Sequence, residues 1–231
     1  MSGRNFTAEE AKAERVRRMG EPLGVVFDAL WQDVVWLHVK WEEYVELYGK
    51  RQSRVEILNR SAPLFFRVVQ DVLWADTLLH IARLTDEPNS YGKPKLTIKT
   101  LPPLIADYNG RATVNKLVNA ALLTTAFARD WRNRWIAHTD LALATERASA
   151  VPLEGASRLK VKDTVAAIAD VLREVERQHG GGDLMFSPVG SATGGERLLR
   201  LVDAGLKAEA ERFERRRNGT AQREDWEPPE I

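Results

Sequence analysis

Apolar side chains return at three- and four-residue steps along most of the chain, and strict apolar–polar alternation is absent. That period belongs to helices with a buried stripe, whereas a half-buried strand needs a period of two. Thr7 to Gly20 is predicted as a first helix, opened by a Thr7–Glu10 capping box and poor enough in apolar residues to be a solvated arm or surface helix. Leu23 to Tyr48 is stronger: Leu23, Phe27, Leu30, Val34, Trp41 and Tyr44 keep the period, and Gly49 suits the position just past its end. Arg54 to Asp86 is mostly helical, with Pro63 starting a new helix or kinking a longer one and Ser61 close enough to cap it. From Leu64 to Leu84 the helix is apolar nearly all round, which predicts a place at the centre of a bundle.

Glu87 to Lys99 is predicted as a polar loop. A short helix enters at Thr100-Leu101-Pro102-Pro103 and runs to about Tyr108, where Asn109-Gly110 breaks it. Arg111 to about Ala137 and Lys162 to Gln178 are the next long helices, the second stopped by Gly180-Gly181-Gly182. A second capping box, Thr193 with Glu196, opens a charged helix toward Arg217. There is no internal repeat, sustained heptad or β-hairpin signature. The fold predicted is all-α: a four-helix core (Leu23–Tyr48, Leu64–Asp86, Arg111–Ala137, Lys162–Gln178) with extra N- and C-terminal helices. Its parts are an arm over 1–20, a helical domain over 21–182, a helical extension over 183–217, and a polar tail over 218–231 expected to be disordered or draped on the surface.

Composition narrows the chemistry. With no cysteine, disulfides, thiolate metal sites and cysteine nucleophiles are excluded. The N-terminus has no apolar signal-peptide core and no apolar run is long enough to span a bilayer, so a cytoplasmic protein with no membrane partner is expected. A net charge of +1 is too neutral for non-specific coating of nucleic acid, yet allows a local anion site. There is no Gly-rich phosphate loop, no H-E-x-x-H and no serine-hydrolase elbow. His38, His80, His138 and His179 are too scattered for a metal cluster, so neither metal nor cofactor is expected.

One stretch stands apart. Arg129, Arg132 and Arg134 crowd the end of an otherwise apolar helix, His138 follows, and Asn133 and Asp140 are polar neighbours able to orient them. The string Arg132-Asn133-x-x-x-Ala137-His138 resembles the R-x(4–6)-H motif of the HEPN superfamily. The flanks Leu47-Tyr48-Gly49, Ile81-Ala82-Arg83-Leu84-Thr85-Asp86 and Trp135-Ile136-Ala137-His138-Thr139-Asp140 are similar to its abortive-infection, HEPN-like branch, and the resemblance spans roughly Leu23 to Asp140. It implies a HEPN-like helical bundle, often a homodimer, and a metal-independent endoribonuclease in a toxin–antitoxin or anti-phage setting, with RNA as substrate and an antitoxin or other protein as partner. It also implies Arg132 and His138 as the catalytic pair. The neighbouring residues add the expectation that Asn133 orients one of them and that Arg134, Arg129 and Asp140 bind substrate. The alternative is a non-catalytic HEPN-like module that binds a nucleotide, RNA or a partner protein.

The residue types suit RNA cleavage. Histidine titrates near neutral pH and can move the proton of an attacking 2′-OH, while arginine forks onto phosphate oxygens. Geometry sets a condition, because six residues on a regular helix turn through about 240°. Either the helix ends before His138 or a second chain completes the site; Arg134, four residues from His138, would share its face on a regular helix. Trp131 and Trp135 read as core packing, with base stacking as the alternative. Asp76, His80 and Arg83 form a polar stripe on an apolar helix, either a satisfied internal network or the cleft wall opposite Arg132.

Overall fold

The computed structural model describes residues 7–146, 148–186 and 193–226. They are α-helical almost throughout. The helices are α1 (Ala8–Met19), α2 (Glu21–Tyr44), α3 (Gln52–Ser61), α4 (Pro63–Leu84), α5 (Tyr108–Leu123), α6 (Ala126–Trp131), α7 (Leu141–Thr145), α8 (Arg158–Gln178) and α9 (Gly195–Arg217). Two π turns, Val45–Gly49 and Arg132–Ile136, follow α2 and α6. The all-α HEPN-like bundle expected from the sequence is therefore the fold. The chain divides into two units, Met1–Trp41 with Trp74–Pro188 and Glu42–Leu73 with Val189–Ile231.

The first unit holds the larger core. Leu23, Phe27, Leu30, Val34 and Leu37 of α2 are buried at helical spacing, together with Leu78, Ile81 and Leu84 of α4, Val114 and Val118 of α5, and Val165, Ile168 and Leu172 of α8. Residues Thr7 to Gly20 form a capped helix as expected, with Thr7 and Glu10 hydrogen-bonded reciprocally. Of the two readings it is the surface helix, docked on α2 with most of its residues still exposed or half-buried. Gly24 lets the backbone of α1 come so close that a Cβ there would lie 2.5 Å from Val16 Cα. Arg15 pairs with buried Asp28 and stacks its guanidinium over Trp31, and Arg18 reaches Glu176 at 2.5 Å.

The second unit has a small core of Leu47, Leu58, Phe66 and Leu199. It corrects three expectations. The first half of α4 is not central: Leu64, Phe65, Val68 and Val72 are exposed, because this core takes only Phe66 from the run. Pro63 begins α4, as one reading allowed, whereas Ser61 closes α3 by donating to Leu58 O instead of capping the next helix. The Thr193–Glu196 box does not form: α9 starts after Gly194, and the Gly195 N–H donates to Glu43 at 2.6 Å. Over the described part of the tail, Asp225 accepts from Arg215 and the Trp226 ring lies under Arg216, draping it on α9. Positions 227–231 lie outside the described residues.

Three further local differences have clear causes. Residues Asn89–Ser90 and Lys93–Pro94 pair as a two-residue hairpin, missed because its signal is only Gly92 (φ 75°) beside Tyr91, forced to φ 51°. Asn109-Gly110 does not break a helix but lies in the first turn of α5: Asp107 caps it by accepting from Gly110 N at 2.5 Å. The helix predicted over Arg111–Ala137 is interrupted at Thr124–Thr125, whose hydroxyls donate back to Ala121 O and Leu122 O; Thr164 also donates to Thr124 O.

Candidate functional site

The Arg132–His138 stretch follows α6 as a π turn. Its closing bond runs from Ala137 N to Arg132 O at 2.9 Å; the regular α-helix stops at Trp131 and the π turn at Ile136. The helix thus ends before His138, one of the two conditions on which Arg132 and His138 could serve a common site. It also removes the argument that Arg134 and His138 share a helical face. The chain then folds back, Asp140 N donating to Arg134 O at 3.0 Å, and Asp140 caps α7 by accepting from Leu143 N.

The arginines have distinct partners. Arg132 Nη1 donates to both carboxylate oxygens of Asp86 at 2.7 Å, and its Nε donates to Asn133 Oδ1 at 3.1 Å. Nη2 is left outside these contacts, and the side chain is 30% exposed. Arg134 is spent on the loop: it donates to Asp140 and Asp130 and to the carbonyls of Val151 (2.7 Å) and Pro152. Arg129 is also occupied, donating to Thr85 O at 2.5 Å, where it satisfies a carbonyl just past the end of α4. The Leu143 N–H, helped by Arg134, holds the Asp140 carboxyl below the ordinary aspartate pKa. His138 is exposed and makes no hydrogen bond or ion pair with the described residues. Asn133 therefore sits on Arg132, and Asp140 on Arg134.

The polar stripe on α4 splits. Asp76 pairs with Lys40 at 2.5 Å, away from the others. His80 and Arg83 converge on Asp33 of α2: His80 Nε2, deeply buried, lies 3.1 Å from Oδ1, and Arg83 Nη2 donates to the same oxygen at 2.8 Å. Burial alone raises the Asp33 carboxyl, but His80 and Arg83 outweigh it and leave its pKa below the usual value. Asp33, Arg83 and Asp86 line one open cleft. The stripe thus divides: buried His80 faces Asp33 without making a hydrogen bond among the described residues, and Arg83 stands on the wall of the cleft that Asp86 also lines.

Of the tryptophans, Trp131 packs edge-on to Trp74 at 6.5 Å and donates to Glu154 O, whereas Trp135 is 45% exposed. Asp33, Asp86 and Lys95, the groups that hold or face these cations, had no sequence signal of their own. Asp86 stood in a flanking string without a role. Among the described residues, no group of three His, Cys, Asp or Glu could hold a metal ion, and no helix is long and apolar enough to cross a membrane.

A HEPN family model, described as AbiU2, matches residues 20–193. No curated protein and no solved structure matches the chain.

Proposed function

Because the chain belongs to the AbiU2 family of HEPN proteins, we propose that it is an abortive-infection effector that cuts RNA at Arg132 and His138 without a metal ion. The observation that carries this reading is the contrast between the two residues. Arg132 is fixed by Asp86 and Asn133 with one nitrogen outside those contacts, and His138 stands exposed just beyond the helix end, with no hydrogen bond or ion pair to the described residues. A held cation and a free imidazole are what phosphodiester transfer asks of side chains.

In the proposed reaction the RNA 2′-oxygen attacks the adjacent phosphorus while His138 takes its proton. Arg132 donates to the non-bridging oxygens as negative charge builds on them. The bond to the 5′-oxygen breaks, a protonated imidazole returns a proton to that oxygen, and a 2′,3′-cyclic phosphate and a 5′-hydroxyl are left. A homodimer is part of the proposal: two such helix ends would double the cations and supply a second imidazole. Arg129, Arg134 and Asp140 then act by shaping the loop more than by touching RNA.

A second reading, a non-catalytic module that binds a nucleotide, RNA or protein, draws support from two observations. Asp86 already neutralises Arg132, and the net charge of +1 offers little general attraction for RNA. One experiment separates the two. Purified protein is incubated with a mixed RNA pool in EDTA beside His138→Ala and Arg132→Ala. Cleavage by the wild type, slowed about 10²–10⁴-fold in the histidine variant and about 10²–10³-fold in the arginine variant, supports the enzyme. Absence of cutting, or equal cutting by all three, overturns it in favour of the binding module.

A further inference from the structure

Beside Arg132 lies an open cleft of about 720 Å³, within the size range of clefts that hold small organic ligands. One wall comes from α2 and carries Asp33 and Trp36, one helical turn apart. The other comes from the end of α4 and the chain after the hairpin, and carries Arg83, Asp86 and Lys95. Trp36 is 62% exposed, a large apolar face left in water at the rim. Arg83 is 58% exposed and Lys95 39%, while Asp33 and Asp86 are less exposed. Each carboxylate holds cations: Asp33 takes Arg83, and Asp86 takes Lys95 at 3.3 Å and Arg132 at 2.7 Å. The lining therefore balances two cations against two carboxylates, with Arg132 beside it as a third cation on Asp86, and Arg83 and Lys95 are more exposed than the carboxylates that hold them.

A flat aromatic face next to held cations matches a base followed by a phosphate. Bases stack on exposed tryptophans whatever their identity, and the backbone then follows the positive groups. The geometry points to this cleft as the seat of one unpaired nucleotide of RNA, its base on Trp36 and its phosphate on Arg83 and Lys95. Since Asp86 is shared by Lys95 and Arg132, the strand continues from this seat onto Arg132. The inference rests on the RNA-cleaving reading, and it specifies the substrate as single-stranded next to the cut, because a paired base cannot offer its face.

The test is direct binding of wild-type protein to a short labelled 2′-O-methyl RNA, which cannot be cut, beside Trp36→Ala, Trp36→Phe and Arg83→Gln. These side chains are mostly exposed, so the variants fold. The expectation is a loss of about 5- to 150-fold for Trp36→Ala, near-recovery in Trp36→Phe, a salt dependence reduced by about 0.7 in slope for Arg83→Gln, and no competition by a duplex of the same sequence. If the wild type binds but Trp36→Ala and Arg83→Gln bind equally well, or the duplex competes fully, the cleft assignment is overturned and RNA cleavage still stands. If the wild type binds no RNA, the RNA reading itself falls and the cleft assignment with it.

Discussion

Replacing Asp86 with asparagine keeps the shape of the side chain and removes its charge. In the wild type both Asp86 oxygens accept from Arg132 Nη1 at 2.7 Å, and one also faces Lys95 Nζ at 3.3 Å. The Asp86 side chain is only 18% exposed, while Arg132 and Lys95 are 30% and 39% exposed. Two unit charges near 4 Å attract by about 4 kcal/mol at an effective dielectric of about 20. Desolvation of Asp86 and solvent around both cations offset most of that. Hydrogen bonds to charged groups contribute about 1.5–3 kcal/mol net, and asparagine retains one acceptor for Arg132. The expected loss is about 1–2 kcal/mol, read as an earlier urea midpoint at unchanged slope. A second readout follows from position. Arg132 loses its anchor, so cleavage of RNA should fall about tenfold, the equivalent of about 1.4 kcal/mol of lost alignment. Asp86→Asn with wild-type stability would refute the claim that this carboxylate holds the arginine. Lower stability with undiminished cleavage would keep the ion pair and refute its role in aiming Arg132.

Two further outcomes bear on the fold. Gly24→Ala places a methyl against the backbone of α1, which no rotamer can relieve; α1 must move away from Asp28, and stability should fall by about 1–3 kcal/mol despite alanine's better helix propensity. Equal or greater stability in chemical denaturation would mean that α1 does not dock there. His38 is pushed below its ordinary pKa by burial and by Arg173, with its ring stacked on Phe186 and its Nδ1 2.9 Å from Val34 O. The unfolded chain then takes up a proton more readily, so stability should be full above about pH 6.5 and decline as pH falls through the folded value. In His38→Phe that part of the decline should vanish from denaturation curves taken at several pH values; an unchanged curve would show that His38 is not its source.

How much of this was legible in the sequence depends on how far apart the partners lie. The helices were legible because their signal is local: the period of Leu23, Phe27, Leu30 and Val34, or the reciprocal Thr7–Glu10 cap, needs only neighbouring residues. The Thr193–Glu196 box failed although its letters were correct, because Glu43, 152 residues away, supplies the acceptor. The first half of α4 misled for a related reason. Apolar residues on all sides state that a helix could be buried, and whether it is depends on what covers it; here the covering elements take Phe66 and leave Leu64, Phe65, Val68 and Val72 exposed.

The same argument divides the arginines of the motif. In the sequence Arg132 and Arg134 were nearly equivalent, and helical spacing favoured Arg134 as the neighbour of His138. That preference assumed a regular helix. A π turn closed by Ala137 N on Arg132 O ends the helix early, and the chain that follows returns to Arg134. Arg134 then finds its acceptors within about twenty residues, at Asp130, Asp140, Val151 and Pro152, and serves to close the loop. Arg132 finds its anchor 46 residues away at Asp86, on the rim of a cleft that also carries Trp36, Arg83 and Lys95. An arginine held from one side by a distant carboxylate keeps the rest of its fork for a ligand, whereas one saturated by its own loop does not. The division of labour between two like residues is therefore set by tertiary contacts, and that is why the motif's spacing alone left both open.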